Sequence, residues 1–108
     1  MIAPDMVEVM PHDDGEMDMW KAARTGDINL LDTRIHHGDS IDAEDDYGTT
    51  PLMIACFHGQ VNIVKSLLDR GAKISTIDTH GYSALICASM EGHFDVVELL
   101  LKHAAWLI

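Results

Sequence analysis

The stretch Asp45–Ala72, DDYGTTPLMIACFHGQVNIVKSLLDRGA, returns 33 residues downstream as Asp78–Ala105, DTHGYSALICASMEGHFDVVELLLKHAA. It also stands in weaker form 33 residues upstream as His12–Asp39, HDDGEMDMWKAARTGDINLLDTRIHHGD. Glycines set the interval: Gly15, Gly48 and Gly81, then Gly26, Gly59 and Gly92, then Gly38 and Gly71. Apolar positions keep it as well, with Met19, Leu52 and Leu85 in step, Ala22, Ala55 and Ala88, Leu31, Val64 and Val97, and Ile35, Leu68 and Leu101. A fixed period shared by turn-forming and core-forming residues is the mark of a repeat architecture.

Each unit reads as two short helices. Thr50 can cap the first free amides and Pro51 supplies a helical φ at the first position, so a helix starts there. It runs through Leu52, Met53, Ile54, Ala55 and Cys56 and stops near Gly59, which takes the left-handed conformation without a steric penalty. A second helix is expected from Val61 to Arg70, with Ile63, Val64, Leu67 and Leu68 on one apolar face and Gly71 ending it. Neither helix reaches the about 12 to 15 residues at which an isolated helix is marginal in water, so neighbouring hairpins must bury these faces.

On these residues the chain resembles the ankyrin-repeat family, whose pattern is D-x-x-G-x-T-P-L-H-x-A, then G-H, then L-L-x-x-G-A. The resemblance implies an all-α solenoid of three stacked helix-turn-helix repeats with short β-hairpin-like finger loops. The domain then spans residues 12–108, in repeats of about 12–44, 45–77 and 78–108, behind a flexible acidic leader at 1–11. The family's usual histidine after T-P-L is replaced by Trp20, Met53 and Ile86, so an interior hydrogen-bonding position is read as apolar. Met17-Asp18 stands in place of Thr-Pro, although an acid in the first turn still suits the helix dipole. Ala104 replaces the stopping glycine, and Trp106-Leu107-Ile108 follows without a polar capping repeat. Either the chain is a piece or variant of a longer repeat protein, which is the preferred reading, or this apolar tail caps the last repeat or drives self-association.

Composition narrows the function. With 108 residues, 47% of them hydrophobic, the chain is one globular unit. It has no run of apolar residues long enough to span a membrane and no secretory signal pattern, so an intracellular setting, cytoplasmic or nuclear, is expected. The net charge of −11 opposes binding to nucleic acid or to an anionic membrane. Asp5, Glu8, Asp13, Asp14, Glu16 and Asp18 concentrate much of that charge before the first basic residue, Lys21. Cys56 and Cys87 lack the number and spacing of a disulfide framework or zinc site and read as reduced core thiols.

Catalysis finds no support in the spacing of the seven histidines and two cysteines. Cys56 and His58 point in different directions on one helix, no H-E-x-x-H or paired C-x-x-C occurs, and no G-K-S/T follows any glycine. His93 in the Gly92-His93 turn and His36-His37 before Gly38 have structural readings, a hydrogen bond and a helix C-terminus respectively. The chain is therefore expected not to be an enzyme and to need no cofactor or metal.

The resemblance implies instead binding of a partner protein or peptide through the finger loops and the concave face of the first helices. The matching positions are Glu44, Asp46, Tyr47 and Thr49 on one finger, Ile77, Thr79, His80 and Tyr82 on the next, and Phe57, His58, Met90 and Glu91 on the helices, with Arg24 and Thr25 added by the first repeat. Tyr47, Tyr82, Phe57 and Met90 supply apolar anchors, while Glu44, Asp45, Asp46 and Glu91 supply an acidic rim, which suits a basic or amphipathic peptide. The alternatives are the regulatory or targeting part of a larger enzyme, channel or transcription complex, and a purely structural spacer.

Overall fold

In a computed structural model of the chain, residues 18–106 are described. Among them lie six helices: α1 (Asp18–Thr25), α2 (Ile28–His36), α3 (Pro51–His58), α4 (Val61–Asp69), α5 (Ala84–Met90) and α6 (Phe94–Trp106). They form three helical hairpins, and the expected all-α ankyrin stack is what is observed. The leader at 1–11, the start of the first repeat and the end of the tail lie outside the described residues.

Local chemistry sets each boundary. Thr50 accepts a hydrogen bond from the Met53 amide at 3.2 Å, Pro51 opens α3, and Gly59 closes it at φ 68°. One period on, Ser83 takes the same role toward the Ile86 amide at 3.2 Å. Asp27 caps α2 through the Leu30 amide at 3.0 Å. The helix expected to reach Arg70 ends at Asp69, with Arg70 as its C-cap. Without a glycine at Ala104, α6 runs on to 13 residues where α4 has 9.

Helices α1, α3 and α5 form an inner layer, and α2, α4 and α6 an outer one, each packing on its neighbours in order. The core is a continuous seam through Met19, Leu31, Leu52, Ile63, Leu67, Val96 and Leu100, all essentially buried. Small residues at one register, Ala22, Ala55 and Ala88, are fully buried and let the inner helices approach closely. Removing about 25 cal/mol per Å² of apolar surface from water across these layers is what holds helices this short in place.

Side chains tie one repeat to the next. Gln60 makes no cap bond to α4; its Nε2 instead donates to the Arg24 carbonyl at 3.0 Å. His93, one period later, bonds the Phe57 carbonyl through Nε2 at 3.0 Å, so that nitrogen carries the proton. The structural hydrogen bond expected of His93 is present. Arg70 pairs with Asp32 at 2.6 Å across the outer layer.

The apolar reading of Trp20 needs correction. Its ring is buried, but Nε1 donates to the Thr49 carbonyl at 3.2 Å, so the position keeps an inter-repeat hydrogen bond although the family's histidine is gone.

Candidate protein-recognition surface

The finger loops precede α3 and α5 and are built alike. The Asp45 carboxylate accepts from the amides of Tyr47 and Thr49, both at 2.9 Å, and the Asp45 amide donates to the Thr49 carbonyl at 3.1 Å. Asp78 repeats the arrangement with His80 and Tyr82, again at 2.9 Å. These loops contain turns and no strand, and one backbone bond, from the Thr79 amide to the Tyr47 carbonyl at 2.9 Å, joins finger to finger. Gly48 makes that approach possible: at φ +76° a Cβ there would lie 3.3 Å from the Asp78 Cα. Asp45 is thus committed to holding its own loop and is not a free member of the acidic rim.

The turn geometry presents three rings in a row. Tyr47, 62% exposed, lies 6.2 Å centroid to centroid from His80, and His80 lies 6.2 Å from Tyr82 with the planes 27° apart. Beside Tyr82 a cleft of about 240 Å³ opens between the second and third repeats. Thr49, Phe57, His58 and Tyr82 line it, together with Met53, Ile54, Asp78 and Cys87. The Phe57 ring meets His58 edge-on at 5.1 Å, and both side chains line the cleft. The remaining positions named from the sequence are placed separately. Glu44, Asp46, Ile77, Thr79, Met90 and Glu91 are exposed beyond the cleft lining, with the Thr79 amide held by Tyr47. Arg24 and Thr25 lie exposed at the end of α1, where the Thr25 hydroxyl donates to the Lys21 carbonyl at 2.8 Å.

Charge is segregated across this surface. From Glu44 to Val64, and again from Ile74 to Leu101, the sequence holds no lysine or arginine. The basic residues of the second and third repeats, Lys65, Arg70, Lys73 and Lys102, belong to the outer helices or to the loop after α4. Glu44, Asp46 and Glu91 therefore stand exposed with no cation on the fingers and inner helices of those repeats.

Met53, Ile54, Asp78 and Cys87 were missed in the sequence because they read as core or turn residues; their signal is the repeat boundary itself, where one unit's inner helix meets the next finger. Burial raises both thiols, Cys56 to about 12, so they stay protonated. Among the described residues no group of three His, Cys, Asp or Glu side chains is arranged to hold a metal ion, and no helix is long and apolar enough to cross a membrane.

Comparison with known proteins agrees with this architecture. Residues 19–106 match the ankyrin repeats family in three copies, and the chain belongs to that family. It is also 40% identical over 40 residues to the ankyrin repeat domain-containing protein SAT10 of Stachybotrys chartarum, a match covering 37% of this chain and 2% of that protein. The chain thus aligns with only a small part of that relative's length. Ankyrin repeats are, as a class, non-catalytic modules that bind other proteins.

Proposed function

We propose that this chain recognises a partner protein through an extended segment that is basic and amphipathic, lying along the two fingers and over the cleft between the second and third repeats. The observation that carries this reading is the cleft of about 240 Å³, lined by the exposed rings of Phe57 and Tyr82 and set among fingers and inner helices of the second and third repeats that carry no lysine or arginine. An apolar side chain of the partner fills the space between Phe57 and Tyr82, where desolvation is greatest. Cationic side chains beside it meet Asp46, Glu44 and the faces of Tyr47 and Tyr82, which attract cations through the ring quadrupole. Ile77, Met90 and Glu91 extend the contact along the concave side, and His58 and His80 supply polar contacts.

The test is selection of a random peptide library on the full chain, followed by titration of the winners. Enriched peptides carry Lys or Arg next to an apolar residue, and Phe57→Ala with Tyr82→Ala weakens them at least tenfold while the unfolding midpoint stays nearly unchanged. Enrichment of acidic peptides, or winners indifferent to the double variant, would overturn the reading.

A further inference from the structure

The three rings on the fingers come from two registers of the repeat. Tyr47 and His80 are counterparts 33 residues apart, so the stacking of one repeat on the next sets their rings beside each other, 6.2 Å between centroids. Tyr82 has no aromatic counterpart, since Thr49 stands one period before it, and it adds a third ring 6.2 Å from that of His80. Neighbouring planes differ by 35° and 27°, so the three faces run close to parallel.

The backbone under each ring is held in place. The Asp45 carboxylate binds the Tyr47 amide, and the Tyr47 carbonyl accepts from the Thr79 amide at 2.9 Å. Asp78 binds the amides of His80 and Tyr82, and its own amide donates to the Tyr82 carbonyl at 2.9 Å. The row is therefore formed before a ligand arrives, and a ligand lying on it need not order the fingers. A carboxylate stands at the Tyr47 end. Glu44 is exposed, and its Oε1 lies 3.6 Å from where a Cβ on Gly48, the residue after Tyr47, would be. Asp46, on the other side of Tyr47 in the chain, is exposed as well.

We infer that the basic group read by the fingers is an arginine side chain and not a lysine, its guanidinium lying flat on the Tyr47 end of the ring row with its edge turned to Glu44. The inference rests on the proposed recognition of a basic segment and narrows it to one residue type. A guanidinium is planar and weakly hydrated, so its face stacks on a ring while the N–H groups in its plane donate to a carboxylate as a pair. An ammonium is compact and strongly hydrated. On a surface this open, with Tyr47 62% exposed, it keeps its water and gains little from the ring. Nothing on either finger competes for the place, because the sequence holds no lysine or arginine from Glu44 to Val64 or from Ile74 to Leu101.

Two random peptide libraries, identical except that arginine is the only basic residue in one and lysine in the other, are selected on the full chain. The arginine library yields the binders, and replacing their arginine by lysine weakens them about tenfold. Tyr47→Leu narrows that gap to about threefold or less, Tyr47→Phe restores it, and both variants keep Tm within about 2 °C of wild type. Glu44→Gln weakens the arginine peptides more than their lysine forms. Equal affinity for the two forms, or a gap that Tyr47→Leu leaves intact, overturns the inference. If such peptides still depend on Phe57 and Tyr82, the recognition of a basic segment stands without it. Binders from neither library overturn both.

Discussion

The Trp20 indole N–H donates to the Thr49 carbonyl at 3.2 Å, joining the first inner helix to the base of the following finger. The same carbonyl already accepts from the Asp45 amide at 3.1 Å, so it keeps a partner when the indole is removed. Trp20→Phe therefore costs only the net worth of one hydrogen bond, about 1 kcal/mol, whereas Trp20→Ala costs about 3 to 5 kcal/mol through the cavity it leaves. Urea unfolding of the two variants measures the difference, and equal losses would show that the bond and not the ring volume dominates.

Gly59 and Gly71 both close helical segments at positive φ, 68° and 88°, so alanine at either pays the left-handed penalty of about 1 to 2 kcal/mol. Only at Gly59 would the new Cβ collide, 2.6 Å from the His93 ring nitrogen, while at Gly71 nothing lies within 4 Å. Gly59→Ala is thus the more destabilising by about 1 kcal/mol, the worth of the displaced His93 bond. In a His93→Ala background the two substitutions should cost the same in chemical denaturation.

Hydrogen bonding from Arg34 holds the Asp39 carboxyl below its usual range. The folded state therefore binds fewer protons here than the unfolded chain, and this contribution is complete above the ordinary carboxylate value of about 3.9. It is lost as pH falls through the folded value. Asp39→Asn removes that part of the acid limb, so the unfolding midpoint of the variant falls less steeply than wild type below about pH 4. Parallel acid limbs in a pH series of urea melts would contradict the assignment.

Cys56 is fully buried and its thiol is pushed up to about 12, whereas Cys87 lines the cleft. Alkylation at about pH 8 needs the thiolate, so Cys56 reacts only at the rate of opening of the second repeat. Timed iodoacetamide labelling with mass spectrometry checks this, and labelling of Cys56 faster than Cys87 would be incompatible with the structure.

The helices and their caps were legible because short-range chemistry decides them. Thr50-Pro51 before an apolar run, and Gly59 and Gly71 after one, permit few other conformations. Periodicity also identified which residues share a face, but not whether anything covers that face. Met53 and Ile86 occupy one register, and only the presence of a following repeat separates their burial. The Trp20 bond escaped for a related reason: a family pattern records the residue type at a position, and not that a buried ring there carries an N–H within reach of a neighbouring carbonyl. Asp45 looked like a rim acid because sequence does not show where a carboxylate's lone pairs point.

The bonds from Gln60 to Arg24, from His93 to Phe57 and from Thr79 to Tyr47 each join residues about one period apart, and the helices pack only on near neighbours. No tie among the described residues reaches across the whole stack, so tension applied along it is carried by each junction in series. Under load the hairpins release one at a time, each freeing roughly 100 Å of chain at the extended length per residue. The molecule is in this sense an extensible link, whose yield point belongs to its weakest junction and not to the fold as a whole.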